Sequence, residues 1–322
     1  MPITAITDTS LKEAAACLEK GGLVAFPTET VYGLGAIATD DSAVVKIFAA
    51  KNRPQFNPLI SHFADKDCAL KAGLPNKIAE NLAARFWPGP LTLILERPAD
   101  SLISLLASAG SDSLAVRVPG HADALRLLGL VGQPVVAPSA NPSGRISPSE
   151  ARHVAEGLGN KCDMILDGGT CQRGLESTVI DCRGKTPLLL RPGPITAEQI
   201  YAETGLKIAT PASTPDKNTA PLAAPGQLAS HYAPSARVRL NAADIGEDEI
   251  FVGFGALPNG VISEFNLSPE GDLHEAAARL FAIMHLADKK GAKSIAFAPI
   301  PMSGLGLAIN DRLARAAAPR TP

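Results

Sequence analysis

The sequence predicts an α/β protein of two domains, in which a twisted mixed sheet flanked by helices precedes a smaller α/β domain. Its 322 residues exceed the length of most single domains, and 46% of them are apolar, which is ample for a core. In residues 1–204, short strand patterns and helical patterns mix without strict alternation, which favours a mixed sheet. Residues 205–233 form a predicted linker, and strand and helix patterns alternate in residues 234–322.

An early stretch, residues 22–60, joins a predicted strand to polar side chains. The apolar run from Leu23 to Phe26 predicts a buried strand, and PTETVYGLG follows it at residues 27–35. Two threonines, a carboxylate and a tyrosine therefore lie after a strand, where open α/β sheets bind ligands. The two glycines let backbone amides approach a ligand closely. The stretch predicts a binding loop.

The next helix brings two cations to the same region. Asp40 or Asp41 is its predicted N-cap, and its predicted inner side carries Val44, Val45 and Phe48. Pro54 stops this helix just after Lys51 and Arg53. Two cations one residue apart suit phosphate oxygens. Such a pair alone is more often a solvated helix end, so its meaning here depends on the threonine-rich loop beside it.

The rest of the first domain follows from local patterns. A capping-box pattern at Ser10 opens the first helix, and Ser147 is the predicted cap of a helix from Pro148 to Leu158. Two further helices are predicted at 66–72 and 76–86, and strands at 58–63, 91–95, 114–119, 134–137, 164–166, 177–181 and 188–190. Arg117 is a cation inside an apolar strand, which is costly unless it is paired or faces a cleft.

The predicted linker is rich in proline, threonine and alanine and ends at HYAP, residues 231–234. Beyond it, strands are predicted at 237–241, 249–254 and 294–298, and helices at 273–289 and within 304–318. This alternation predicts a small Rossmann-like α/β domain. Its Gly304-Leu305-Gly306 is too short to indicate a dinucleotide site.

Composition narrows the class of protein. A net charge of −2 gives no overall positive potential to attract nucleic acid. With 4% aromatic residues, the chain also has few rings on which bases could stack, so stable nucleic-acid binding is not expected. The five cysteines have no metal-type spacing, which favours reduced thiols in a cytoplasmic protein. No signal-peptide pattern and no apolar run of membrane-spanning length is present, so no membrane association is expected.

Three motifs together carry a resemblance to a known family. PTETVYGLG, then KNRPQFNPLI at residues 51–60, then PSAN at residues 138–141 resemble the YrdC-type domain of threonylcarbamoyl-AMP synthases. The resemblance is strong over roughly residues 5–205 and weaker to the end, as in the two-domain form of these enzymes. It implies a YrdC-like fold and a nucleotidyltransferase that joins L-threonine, bicarbonate and ATP and releases pyrophosphate. The product serves threonylcarbamoyl modification of tRNA adenosine next to the anticodon.

The resemblance also implies roles for individual residues. Lys51 and Arg53 are the implied catalytic cations, because this reaction needs charge neutralisation and alignment but no enzyme nucleophile. The implied L-threonine contacts are Thr30, His62, Arg117, Ser139 and Ser177. The implied ATP contacts are Lys51, Arg53, Asn57, Ser113, Asn141, Ser149, Arg191, His231 and Tyr232, the last two from a linker that crosses the active site.

Mg²⁺ is expected with ATP, held mostly by water and phosphate oxygens, and no protein metal site is expected. A tRNA threonylcarbamoyl transferase complex is the expected recipient of the product. Two alternatives stay open: a related carbamoyl-adenylate-forming enzyme, as in hydrogenase maturation, and a non-catalytic RNA-binding protein of the same fold. The first would carry acylphosphatase and zinc-finger segments, which are not visible, and the second would be more basic.

Overall fold

The computed structural model describes residues 3–210, 230–257 and 261–319. The described strands are β1 Ile3–Ala5, β2 Val24–Phe26, β3 Gly33–Ile37, β4 Ile60–His62, β5 Leu91–Glu96, β6 Ser113–Arg117, β7 Val135–Val136, β8 Met164–Asp167, β9 Thr178–Asp181, β10 Leu188–Arg191, β11 Arg237–Arg239, β12 Glu249–Gly253, β13 Phe265–Asn266 and β14 Ser294–Phe297. The described α-helices are α1 Asp8–Glu19, α2 Asp41–Lys51, α3 Lys66–Lys71, α4 Lys77–Phe86, α5 Ala122–Val131, α6 Ala151–Leu158, α7 Ala197–Thr204, α8 Leu273–Lys289 and α9 Leu305–Ala317.

Two sheets organise these elements. The first has ten strands in the order β1-β8-β2-β3-β7-β4-β6-β5-β9-β10 and mixes parallel with antiparallel pairs. The second has the order β11-β14-β12-β13, and all its pairs are parallel. The predicted fold class is therefore confirmed: a mixed sheet with helices, followed by a small Rossmann-like α/β unit.

The central strands of the first sheet present polar side chains on one face. β4 and β6 are parallel neighbours, and His62 lies beside Arg117 in their register. Because alternate residues of a strand share a face, His62 and Ile60 point the same way, as do Arg117 and Ala115. A bridge between Gly33 and Ser139 brings the loop after β7 alongside β3. This face forms the floor of the site described below.

The second unit packs closely against the first. One buried cluster joins Val31, Ile146 and Leu175 of the first unit to the core around α8 and α9. His285 on α8 stacks on His153 of α6, with ring centroids 3.9 Å apart. The two units therefore share buried surface in addition to the chain that connects them.

Several local predictions were wrong at their boundaries. The first helix begins at Asp8, because Thr7 is its N-cap and shares a capping box with Ser10. Val45 is 44% exposed, because Val44, Ile47 and Phe48 form the buried stripe of α2 and leave Val45 off it.

The start of α6 was also misplaced, since this helix begins at Ala151 and not at Pro148. The carbonyls of Pro148 and Ser149 accept hydrogen bonds from the amides of Tyr32 and Cys171, so this stretch is tied to neighbouring loops. Ser147 donates to Glu176 instead of capping a helix.

Residues 211–229 of the predicted linker lie outside the described residues. Cys17, Cys68, Cys162, Cys171 and Cys182 are all free, and the last three are buried. Among the helices that the structure describes, none has both the length and the apolar character needed to cross a membrane.

Candidate active site

A small cavity of about 50 Å³ lies over the face formed by β4 and β6. Polar and charged side chains from distant parts of the sequence share its wall with apolar groups. The lining residues are Thr30, Val31, Arg53, Pro58, Leu59, Ile60, His62, Arg117, Ala137, Pro138, Ser139, Glu176, Ser177, Arg191, His231 and Tyr232. The structure therefore gathers most of the side chains that the sequence singled out.

Arg117 is held on one side by protein acceptors. Its Nη2 donates to Glu29 Oε1 at 2.7 Å and to Thr30 Oγ1 at 3.0 Å, and its Nε donates to the Gly89 carbonyl at 3.4 Å. The side chains of Arg117 and Glu29 are only 5% and 6% exposed. Thr30 is in turn linked to Thr28, with 2.7 Å between their hydroxyl oxygens. The guanidinium is thus fixed in a buried network.

Ser177 and Arg191 form a second fixed pair on the cavity wall. Arg191 donates from Nε to the Ser177 carbonyl at 3.0 Å and from Nη2 to Ser177 Oγ at 3.1 Å. Ser177 Oγ also lies 2.7 Å from Thr92 Oγ1. Burial lowers the pKa of Arg191, with a further lowering from Arg312 and Arg117 and an opposing rise from Glu176 and Tyr232. The residue just before β9 and the last residue of β10 thereby present a hydroxyl and a cation together.

Lys51 and Arg53 bond backbone carbonyls instead of carboxylates. Lys51 Nζ donates to the carbonyls of Ser139 and Asn141, the first at 2.5 Å. Arg53 donates from Nη2 to the Pro58 carbonyl at 2.8 Å. Burial and the Arg53 charge hold the pKa of Lys51 well below its usual value, and burial lowers the pKa of Arg53 to about 9. An anion bound close to either side chain would therefore stabilise its charged form and raise its pKa.

Two buried amides retain unused hydrogen-bonding capacity beside these cations. Asn57 is fully buried, and neither its Oδ1 nor its Nδ2 has a partner among the described residues. Asn141 donates from Nδ2 to the carbonyls of Pro142 and Arg145, while its Oδ1 has no described partner. These two amides therefore have buried atoms that are available to hydrogen-bond a ligand.

Five of the nine predicted ATP contacts lie off the cavity lining: Lys51, Asn57 and Asn141, whose contacts are given above, and two serines. Ser113 begins β6, four residues before Arg117, and its Oγ lies 2.8 Å from Ser111 Oγ. Ser149 is buried in the stretch before α6, and its Oγ lies 3.5 Å from His153 Nδ1. The cavity as it stands therefore does not use these two serines.

His62, on the cavity floor, is a neutral imidazole. Burial, together with the nearby Arg117 charge, lowers the pKa of His62 to about 3. Its Nδ1 lies 3.1 Å from the Ile60 carbonyl, so hydrogen bonding there requires the proton on Nδ1. That tautomer leaves Nε2 as an acceptor for a hydroxyl or ammonium group.

The described end of the linker contributes to the cavity lining. His231 and Tyr232 line it, and their rings meet edge to face with centroids 4.1 Å apart. Tyr232 stacks on Phe281 of α8, and its backbone φ is 63°, a conformation that a bulky residue keeps only when its surroundings enforce it. Burial and several nearby cations hold the pKa of His231 well below its usual value.

Three charged residues of the site were missed by sequence reasoning. Glu29 lay inside the binding motif without an assigned partner, and Glu176 and Arg312 drew no attention. Arg312 on α9 is fully buried and donates from Nε to Glu176 Oε2 at 3.0 Å. It also lies over the Tyr232 ring, 5.5 Å from the centroid. No local signal in the sequence links positions 176 and 312, because the pairing depends on how the two units pack.

The charge of the site suits anions. Among the described residues, the site contains five cationic side chains, Lys51, Arg53, Arg117, Arg191 and Arg312, and two carboxylates, Glu29 and Glu176, each of which already bonds an arginine. No group of three or more His, Cys, Asp or Glu residues that suits a metal ion occurs in residues 3–210, 230–257 and 261–319. The fold and the site together define an α/β protein with a closed, cation-rich cavity for small anionic substrates.

Comparison of the sequence with models of known protein families identifies the family to which the chain belongs. The model for the family described as "Telomere recombination" matches residues 16–193, and the model described as "Threonylcarbamoyl-AMP synthase, C-terminal domain" matches residues 195–318. The chain belongs to the threonylcarbamoyl-AMP synthase family.

The similarity to individual relatives extends over nearly the whole chain. Threonylcarbamoyl-AMP synthase of Pyrococcus abyssi is 40% identical over 97% of this chain and 95% of its own. The Bacillus subtilis enzyme of the same name is 41% identical, with 97% and 94% covered. The crystal structure of P. abyssi Sua5 complexed with L-threonine superposes with a TM-score of 0.87 at 38% identity and covers 98% of both chains.

Proposed function

We propose that the protein is an L-threonylcarbamoyladenylate synthase, a nucleotidyltransferase that uses L-threonine, bicarbonate and ATP and releases pyrophosphate. The observation that carries the proposal is a small cavity lined by Thr30, His62, Arg117, Ser139 and Ser177, with the cations Arg53 and Arg191 on the same wall. The unpaired amides of Asn57 and Asn141 lie next to the buried cations Arg53 and Lys51, outside the lining. The likeness over the whole chain to a structure that contains L-threonine supports the same substrate here. The product would be passed to a tRNA threonylcarbamoyl transferase complex in the cytoplasm, a location that five free cysteines favour.

The threonine side of the cavity is built around Arg117. Its Nη1 has no partner among the described residues, so it is available to the substrate carboxylate while Nε and Nη2 are occupied. His62 Nε2 accepts from the ammonium or hydroxyl group. The hydroxyls of Thr30, Ser139 and Ser177 supply the remaining polar contacts. Bicarbonate and a proton give carbon dioxide and water, and the neutral amine adds to the carbon dioxide and loses a proton to form the carbamate. The pocket holds that carbamate away from water.

The nucleotide side is the cluster of cations and unpaired amides. Lys51, Arg53 and Arg191 neutralise phosphate charge while the carbamate oxygen attacks the α-phosphorus and pyrophosphate leaves. The free atoms of Asn57 and Asn141 offer hydrogen bonds to ribose or base. Lys51, Asn57, Asn141, Ser113 and Ser149 all lie outside the present lining, so ATP would have to extend past it to reach them. Because no described acidic cluster is free for a metal, Mg²⁺ would enter with ATP and be held by phosphate and water.

The size of the cavity implies that the site opens. About 50 Å³ is far less than the roughly 300–1,000 Å³ of ordinary ligand pockets, so the cavity as it stands is too small to hold ATP. His231 and Tyr232 are part of the cavity lining, so their displacement would enlarge the cavity. After ATP binds, their return would exclude water from the reactive carbamate and adenylate.

A pyrophosphate-release assay tests the proposal. We expect release from ATP only when threonine and bicarbonate are both present. Arg117→Gln should raise the KM for threonine about 10- to 100-fold, because a charge-assisted hydrogen bond is lost. Arg239→Gln is the matched control, since Arg239 also bonds a buried carboxylate, Glu249, but outside the cavity. Equal release without threonine would refute the substrate assignment.

A further inference from the structure

In the Glu29–Arg117 pair, the carboxylate bonds one edge of the guanidinium and leaves Nη1 without a described partner. Among the described side chains, Glu29 accepts a hydrogen bond only from Arg117, through Nη2. Thr30 accepts a second hydrogen bond from the same nitrogen. The Gly89 carbonyl accepts a hydrogen bond from Nε, so three protein acceptors occupy one edge of the guanidinium. Nη1 lies on the other side and has no described partner, and Arg117 is part of the cavity lining while Glu29 is not.

We propose that Glu29 is a positioning residue for threonine: it locks the Arg117 guanidinium so that Nη1 faces the substrate carboxylate. This inference rests on the proposed function, in which Arg117 binds that carboxylate. The carboxylate does not compete with the substrate, because it bonds a different nitrogen. Without it, a long arginine side chain has several rotamers, and freezing one of them on binding reduces affinity.

The surroundings of Glu29 restrict it to this orientation. Gly120 lies close to the carboxyl group, since a Cβ added at position 120 would lie 3.5 Å from Glu29 Cδ and 3.2 Å from Gly89 Cα. The Glu29 carbonyl accepts from the Arg173 amide, which holds the main chain as well. Glu29 Oε2 is buried and has no described partner, so Arg117 is the only described side-chain cation that bonds this carboxylate.

Steady-state kinetics with purified full-length variants separate positioning from a structural role. We expect Glu29→Ala to raise the KM for threonine about 10- to 100-fold, with kcat and the KM for ATP changed by less than about threefold. Glu29→Gln keeps an oxygen acceptor for Nη2, so its KM for threonine should rise by no more than half as much as that of Glu29→Ala on a logarithmic scale. Glu249→Ala removes a similarly buried carboxylate from the second unit and is the matched control.

A double-mutant cycle with Arg117→Gln shows whether Glu29 acts through the arginine. On that background, Glu29→Ala should cause no further rise in the KM for threonine. Independent, additive losses would overturn the inference, and so would a lower KM in Glu29→Gln, which would show competition with the substrate. If Arg117→Gln itself leaves the KM for threonine unchanged, the proposed function of Arg117 fails. If only the Glu29 variants behave like wild type, this inference alone fails.

Discussion

Replacing Arg312 by methionine should damage both stability and catalysis, although Arg312 lies on α9 in the second unit. Arg312 is fully buried and bonds Glu176 Oε2 at 3.0 Å, the Pro192 carbonyl at 2.8 Å and Asp311 at 2.8 Å. Without the Arg312 guanidinium, the Glu176 carboxylate stays buried and loses the cation that it bonds. Breaking one partner of a buried pair costs about 3–5 kcal/mol, and we expect a loss of that order in the free energy of unfolding.

The double variant Glu176→Gln with Arg312→Met tests the cause. It removes both charges, so most of the lost stability should return, and the coupling free energy from urea unfolding should exceed about 1.5 kcal/mol. Lys289→Met is the control, because the Lys289–Glu156 pair is exposed and should contribute less than about 1 kcal/mol. Additive losses in the double variant would refute this account of the interface.

Three further predictions follow from the site and the interface. Lys51→Ala or Arg53→Ala should lower turnover by about two orders of magnitude, measured by pyrophosphate release. Because both side chains are buried and bond backbone carbonyls, thermal unfolding of each variant is measured alongside, and turnover is compared under conditions where the variant is folded. Because the pKa of Lys51 is lowered without ligand, ATP binding should take up protons and weaken as pH rises, which calorimetry in two buffers detects. Burial lowers the pKa of His153 to about 3 and that of His285 to about 4, so the unfolded chain binds more protons below about pH 6.5. Unfolding free energy should therefore fall between pH 7 and pH 5, by up to about 1.4 kcal/mol per pH unit for each histidine, and less steeply in His285→Phe.

Much of the fold was predictable because its signals are local. The apolar run before Pro27 and the periodic pattern of α8 need no knowledge of distant residues. β3 was missed, because its sequence, GLGAI, has the glycines of a loop, and its place in the sheet comes from pairing with β2 and β7. Tertiary pairing supplied what the local pattern lacked.

The site was predictable as a set of motifs but not as a network. The resemblance named Arg117 and Ser177, yet nothing in the sequence shows that one is fixed by Glu29 and the other by Arg191. The Glu176–Arg312 contact joins residues 136 positions apart. Such contacts depend on the packing of whole units, so only the structure shows that the second unit helps to hold the cavity wall.

The most direct test of the proposed function follows labelled carbon. The purified protein is incubated with [¹⁴C]bicarbonate, L-threonine, ATP and Mg²⁺, and the adenylate fraction is separated by chromatography. The proposal predicts one label per adenylate product, formed only when threonine, bicarbonate and ATP are all present, and strongly reduced in Arg117→Gln. Release of pyrophosphate without label in an adenylate, or equal labelling when threonine is omitted, would contradict it.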